Sequence, residues 1–184
     1  ALTSAQVAAL TTTQLQALGS SALAGISPEV IPALTTAQAQ AISQAQMAWL
    51  TTAQLAALET ADLAVLSTTQ LAGLAGSQVA AFTTAQIAAM SSTQLAGLSA
   101  GQVGALTGSQ IAAIEVADLD DLSTTQIQAL DSDVNALTTA QIAALTTAQV
   151  AALTTAQVAA LTTTVINALE TTDIGVLNAT QAAA

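Results

Sequence analysis

The chain has 184 residues and a formal net charge of −11, with eleven acidic residues and no lysine, arginine, histidine or cysteine. A chain without cationic side chains cannot bind phosphates by charge, so nucleic acids and anionic membrane surfaces are excluded as partners. Most general bases, nucleophiles and thiolate metal ligands are also missing, and we expect no enzymatic activity and no tightly held cofactor.

A repeat of eight residues, called the octad below, runs along almost the whole sequence from Leu2 onward. Its consensus is L-[TS]-[TS]-[AT]-Q-[VIL]-A-[AG], with a large aliphatic residue at position one. The most regular run is residues 137–160, LTTAQIAALTTAQVAALTTAQVAA. A period this short and regular predicts a solenoid, in which one small unit stacks many times. We therefore expect residues 1–184 to form a single octapeptide-repeat domain.

Each octad carries the signals of a helix N-terminus. Position two is usually Thr or Ser, the preferred N-cap residues, and position five is usually Gln, which completes a capping box. The aliphatic residues at positions one and six, such as Leu50 and Leu55, are spaced as a hydrophobic staple. Pro28 supports this register, because it falls at the first helical position, where proline is favoured. The pattern predicts an all-α solenoid of very short capped helices, one per octad, around a Leu/Val/Ile core.

A continuous helix does not fit the repeat, because eight residues advance about 800° and an apolar stripe would drift by about 80° per octad. A strand also fits poorly, because positions one and six would face opposite sides of it. Thr, Val and Ile nevertheless favour strands, so a β-solenoid with eight-residue coils is the alternative fold. Polar residues interrupt every octad, and we expect no membrane insertion.

Early in the chain, residues 18–33 (LGSSALAGISPEVIPA) depart from the consensus and contain both prolines. We expect a bend or a degenerate repeat there, with a partner-binding feature as the alternative. The two aromatic residues follow, at Trp49 and Phe82. Phe82 occupies position one and is expected in the core, whereas Trp49 replaces the small residue of position eight and is a candidate for an outward contact.

Three octads carry an acidic pair in place of the Thr and Gln pair. Glu stands at position two and Asp at position five in each of them: Glu59 with Asp62, Glu115 with Asp118, and Glu170 with Asp173. Carboxylates suit the positive end of a helix dipole, so a variant helix start explains these pairs. The alternative is a weak cation site, since Ca²⁺ prefers oxygen ligands.

The densest acidic group surrounds the single register slip, at residues 130–136, where one octad is a residue short. Like charges without counter-cations repel one another, and Ca²⁺ would relieve that repulsion. The sequence contains no glycine-bearing calcium loop of the EF-hand or nonapeptide type. The candidate calcium ligands are Glu115, Asp118, Asp120, Asp121, Asp131 and Asp133.

The octads resemble the LTTAQ(V/I)AA arrays of very long repetitive proteins of bacterial surfaces and secretions, which are described as adhesin-like. The resemblance covers nearly the whole chain and is purest in residues 137–160. It implies an extracellular or cell-surface location and a structural or adhesive role, with no catalytic residues to carry over.

Three functions remain open from the sequence. The first and last octads lack the polar capping sequences of a closed solenoid, so we expect end-to-end stacking of repeats. A head-to-tail contact that does not close gives an open filament. We therefore expect a structural protein, a subunit or repeat segment of an extracellular filament or surface fibre, with a copy of itself as partner. The alternatives are an adhesin spacer stiffened by Ca²⁺ and an ice-binding surface of Thr and Ala rows.

Overall fold

The computed structural model describes residues 2–184, so the first residue of the predicted domain lies outside the described residues. Every octad holds one helical segment, twenty of them α-helical and three of them 3₁₀-helical. The predicted all-α solenoid is confirmed. The alternative β-solenoid is wrong, since no residue from 2 to 184 lies in a strand.

The α-helices, in chain order, are α1 Ser4–Ala9, α2 Thr12–Gln16, α3 Ser20–Ala24, α4 Thr36–Ala41, α5 Gln44–Trp49, α6 Thr52–Ala56, α7 Thr60–Ala64, α8 Thr68–Ala72, α9 Gly76–Val79, α10 Thr84–Ala88, α11 Ser92–Ala96, α12 Ala100–Val103, α13 Gly108–Ala113, α14 Thr124–Ala129, α15 Thr139–Ala143, α16 Thr147–Ala152, α17 Thr155–Ala160, α18 Thr163–Ile166, α19 Thr171–Ile174 and α20 Ala179–Ala182. The 3₁₀-helices are η1 Pro28–Ala33, η2 Val116–Asp118 and η3 Asp131–Ala136. None of the described helices is long and apolar enough to cross a bilayer.

Capping boxes begin most of these helices, as the sequence predicts. In α10 the hydroxyl of Thr83 accepts a hydrogen bond from the Gln86 backbone N–H at 3.1 Å. The Thr83 backbone N–H in turn donates to Oε1 of Gln86 at 2.7 Å. Two backbone donors that a helix start would leave unpaired are thereby satisfied. The prediction for Pro28 is also confirmed, since it is the first residue of η1, directly after Ser27.

The side chains at positions one and six form the core along the solenoid. Leu55 and Leu58 are 0 % and 5 % exposed, and Phe82 takes its expected place in the same core at 3 %. Helices this short are unstable alone in water, so the stack itself has to stabilise them. Burial of these two positions in most octads supplies that stabilisation, with the position-six residues Ile166 and Ile174 as exposed exceptions.

Successive turns of the solenoid meet at octads three and four positions apart in the chain. Helix α10 packs on α7 and on α13, each three octads away. Side-chain hydrogen bonds between turns join residues separated by 24 to 31 positions. One superhelical turn therefore takes between three and four octads.

The turns approach closely where small residues end the helices. A Cβ atom added at Gly104 would lie 2.6 Å from the carbonyl oxygen of Ala129 in a neighbouring turn. The corresponding distance is 2.5 Å from Gly73 to the carbonyl oxygen of Gln44. Neither gap admits a side chain, so these positions set the distance between turns.

Candidate functional site: the glutamine ladder and its acidic interruptions

A ladder of buried glutamines joins the turns of the solenoid. Fourteen position-five glutamines are buried, and each donates from its side-chain nitrogen to backbone carbonyls of the preceding turn. Away from the register slip, the usual acceptors are the position-six carbonyl 31 residues earlier and the position-one carbonyl 28 residues earlier. Gln181 is an exception, since it donates to the carbonyl of Ala151, 30 residues earlier, in place of the position-six carbonyl. We call this set of side chains the glutamine ladder.

Each glutamine of the ladder is called a rung below. Gln86 illustrates how completely the polar atoms of one rung are hydrogen-bonded. Its Nε2 atom donates to the carbonyls of Leu55 and Leu58 at 2.9 and 2.7 Å. Its Oε1 atom accepts the cap hydrogen bond from Thr83 at 2.7 Å. The side chain is 2 % exposed, so all its polar atoms are paired away from water. Removing this donor leaves the Leu58 carbonyl unpaired, at a cost of about 1–3 kcal/mol, whereas the Leu55 carbonyl still accepts the Leu58 backbone N–H at 3.2 Å.

From the sequence, the capping role of this glutamine could be predicted, but its hydrogen bonds to the preceding turn could not. The prediction assigned Gln to the capping box, where Gln and Glu serve equally well. Position five nevertheless never holds Glu in this acidic chain, although Glu occurs elsewhere in the octad, as in Glu59. That preference was the available signal, because Gln can accept at the cap and also donate to another group, whereas an ionised Glu can only accept. The acceptor itself lies a whole turn away and could not be located from the sequence.

Asp replaces the rung glutamine in all three acidic octads. An ionised carboxylate accepts hydrogen bonds but donates none, so the bond to the preceding turn is lost there. Asp173 keeps the cap function, because its carboxylate accepts the Glu170 backbone N–H at 3.2 Å. Asp118 is half-buried, in η2. Asp62 is the most enclosed of the three, at 2 % exposure.

Asp62 is an unpaired acid inside the stack. Its Oδ2 atom is fully buried and has no hydrogen-bond partner among residues 2–184. Burial raises the pKa of the carboxyl group, and repulsion from the neighbouring Glu59 carboxylate raises it further. A native protein does not bury such a group without some compensation.

The predicted calcium ligands fall into two separate groups. Glu115, Asp118, Asp120 and Asp121 share one octad, whereas Asp131 and Asp133 lie in η3, beyond the helix α14. Burial raises the pKa of Asp118, and repulsion from its three octad neighbours adds to that increase. Within residues 2–184 no three acidic side chains converge closely enough to hold a metal ion. Calcium binding by these six carboxylates stays a prediction.

One rung is replaced by a side chain from another turn. Val165 stands at position five of its octad and cannot accept the cap hydrogen bond from the Thr162 backbone N–H. Asn135, in the shortened octad, accepts that bond at 3.0 Å and donates to the carbonyl of Ala160 at 2.9 Å. The register slip therefore places an amide from the neighbouring turn where the local one is missing.

The outer surface offers few features for a small ligand. One groove, of about 660 Å³, is open and lined by small side chains that include Thr68, Thr93 and Gly97, with Asp121 as its single charged group. A smaller cavity of about 270 Å³ lies among aliphatic side chains of α18, α19 and α20, where Ile166 and Ile174 are 44 % and 46 % exposed. Trp49 is 38 % exposed, in line with an outward position.

These features define a class of protein, the helical solenoid with one very short helix per repeat. The family model named ALTTAQ repeat matches residues 55–92 and 132–163. These two regions therefore carry ALTTAQ-type repeats, and the predicted resemblance to LTTAQ arrays is confirmed. Comparison with curated proteins gave no match.

Proposed function

We propose that this array is a structural element, a subunit or repeat segment of an extracellular filament or surface fibre that lengthens by end-to-end stacking of octads. The observation that carries the proposal is the polarity of the glutamine ladder. Each turn presents side-chain amide donors on one face and backbone carbonyl acceptors on the other. Any turn is thus complementary to any other turn, which is the property that a head-to-tail assembly requires.

The first turn of residues 2–184 carries unused side-chain donors, and the last turn exposes apolar side chains. Gln6 and Gln14 are exposed, and no described residue accepts a hydrogen bond from their side-chain nitrogens. At the other end, Ile166, Ile174 and Val176 expose aliphatic surface beside the last turn. Further octads of the same chain or a second copy would cover both faces with the contacts seen inside the solenoid.

The chemistry of the surface supports a structural role over a catalytic one. The buried glutamine side chains are used to join the turns, and the open groove holds one carboxylate and no cation. A location outside the cell suits the composition, because a chain without lysine or arginine has no cleavage site for trypsin-like proteases. The calcium-stiffened spacer and the ice-binding surface remain predictions.

Negative-stain electron microscopy of the purified 184-residue chain over a range of concentrations tests the proposal. We expect filaments of one width that lengthen with concentration. The informative variant is Gln14→Glu, which keeps the local cap but replaces the free donor with a carboxylate that would face backbone carbonyls. It should shorten or abolish the filaments.

Gln40→Glu is the matched control, since Gln40 is exposed on α4 and its side chain takes no part in the ladder. It adds the same charge and should leave the filaments intact. Short separate particles of the unaltered chain at every concentration would show that these 184 residues do not assemble by stacking. Equal effects of the two variants would show that charge alone, and not the ladder, controls assembly.

A further inference from the structure

The missing rung at Asp62 removes the side-chain donor that a glutamine would supply to the preceding turn. By the register of the ladder, a glutamine at this position would donate to the carbonyls of Ile31 and Leu34, 31 and 28 residues earlier. The Ile31 carbonyl accepts the backbone N–H of Leu34 at 2.9 Å. The Leu34 carbonyl accepts no hydrogen bond from any described residue. The register therefore predicts that the unpaired Oδ2 atom of Asp62 and the unpaired carbonyl of Leu34 face each other between two turns.

No side chain of this protein can neutralise that group. The chain has no lysine, arginine or histidine, so a cation that pairs with Asp62 has to come from solution. Helices α4 and α10, which pack on α7 from the neighbouring turns, contain no titratable residue. Glu59, the N-cap residue of the same helix, repels the Asp62 carboxylate and adds a second negative charge.

The space between the carboxylate and the carbonyls suits a hard cation. Asp is one methylene shorter than Gln, which withdraws the terminal atoms by about 1.5 Å. Added to the length of the replaced hydrogen bond, this difference predicts a separation of about 4 Å between the carboxylate and carbonyl oxygens. Two Ca²⁺–O bonds of about 2.4 Å each span that separation, whereas a direct O–H···O hydrogen bond of about 2.7 Å is too short for it.

We propose that Asp62, with Glu59 and the carbonyls of Ile31 and Leu34, forms a site for a divalent cation of the Ca²⁺ class that replaces the missing glutamine rung between two turns. Two carboxylates match the charge of one such ion, and carboxylate and carbonyl oxygens are its preferred ligands. The ion would join the turns as the amide does elsewhere, by contacts to both. This site differs from the six-carboxylate group around the register slip and does not depend on filament formation.

Thermal unfolding of the full chain at neutral pH, in EDTA and in millimolar CaCl₂, tests the site. We expect Ca²⁺ to raise the Tm of the unaltered chain by about 2–4 °C, because it binds the folded form alone. Asp62→Gln restores the rung, so its Tm in EDTA should exceed that of the unaltered chain and should no longer respond to Ca²⁺. Asp62→Asn is as short as Asp but uncharged, and it should also lose the response.

Asp133→Asn is the matched control, since it removes the same charge from an exposed carboxylate and should keep the full response to Ca²⁺. A Ca²⁺ response that survives in both Asp62 variants would overturn the proposal and place the ion elsewhere. The absence of any response in the unaltered chain, with stability that increases on acidification, would assign the position to a proton and overturn it too. Filament length is measured separately, so this site and the proposed assembly can fail independently.

Discussion

Two neighbouring regions of the solenoid differ in how completely their turns are joined. Residues 66–113 contain six consecutive octads, and each places a glutamine rung against the preceding turn. Residues 114–136 contain three octads but a single rung, Gln126. Both octads that lack the rung form 3₁₀-helices, and they hold six of the eleven acidic residues.

The comparison indicates what the glutamine contributes. One glutamine side chain caps its own helix and also donates a hydrogen bond to the preceding turn. The same residue therefore stabilises both the helix and the stack. Where this glutamine is missing, the helix loses a capping hydrogen bond and the stack loses a hydrogen bond between turns. Carboxylates are tolerated in that setting because they lie near the surface, as Asp120 and Asp121 do. We expect the regular region to be the more stable one and the more sensitive to substitution.

The largest expected effect comes from replacing a donor by an acceptor within the regular run. Gln86→Glu preserves shape and cap but places a carboxylate against the Leu55 and Leu58 carbonyls. An uncompensated buried charge of this kind should lower the free energy of unfolding by about 3–5 kcal/mol at pH 7. Urea denaturation measures the change. Gln14→Glu, at an exposed capping residue, should change it by less than about 0.5 kcal/mol, and similar losses in the two would contradict the ladder.

A second substitution tests the close approach of turns in the same region. Gly104→Ala would place a methyl group 2.6 Å from the Ala129 carbonyl oxygen, so neighbouring turns have to move apart. We expect a loss of about 1–3 kcal/mol in the free energy of unfolding. Gly101 serves as the control, because a Cβ atom added at this position meets no atom within 4 Å. Gly101→Ala should instead stabilise by up to about 1 kcal/mol, and destabilisation by both would show that spacing between turns is not the cause.

Loss of the capping hydroxyl alone should lower the free energy of unfolding less than loss of the glutamine rung does. Thr83→Ala removes the hydroxyl that accepts the Gln86 backbone N–H but leaves the rung in place. The expected loss is about 1 kcal/mol. Thr84→Ala, at the exposed next residue, should be neutral within about 0.5 kcal/mol. A loss at Thr83 as large as that of the rung variant would mean that capping, and not contact between turns, dominates the regular region.

The smallest expected change in the free energy of unfolding lies in residues 114–136, where two of the three octads lack the glutamine rung. Asp131 has a φ of 47°, in the left-handed region that costs energy for residues with a side chain. Asp131→Gly should therefore stabilise the chain by about 0.5 kcal/mol, as measured by urea denaturation. Asp133→Gly removes the same charge from the same 3₁₀-helix at ordinary dihedral angles and should destabilise it by a similar amount. Stabilisation by both would point to relief of charge repulsion instead of backbone strain.

Much of the local structure could be predicted from residue types at fixed spacing. The N-cap at Thr83, the core positions of Leu55 and Phe82, and the helix start at Pro28 follow from interactions within one octad or between adjacent octads. Such interactions are visible in a sequence because the partners are no more than a few residues apart. The role of Gln86 between turns could not be predicted, because its acceptors are 28 and 31 residues away.

The sequence by itself determined the unit: a capped helix of fewer than two turns with two aliphatic residues to bury, because capping and short-range hydrophobic contacts depend on local chemistry. The tertiary structure decided how the units stack, at three to four octads per turn, because the distance between turns depends on packing at residues such as Gly104. It also decided which polar groups end up without a partner. Asp62 is a helix-start residue in the sequence, and only the turn packed against it makes it a buried, unpaired acid.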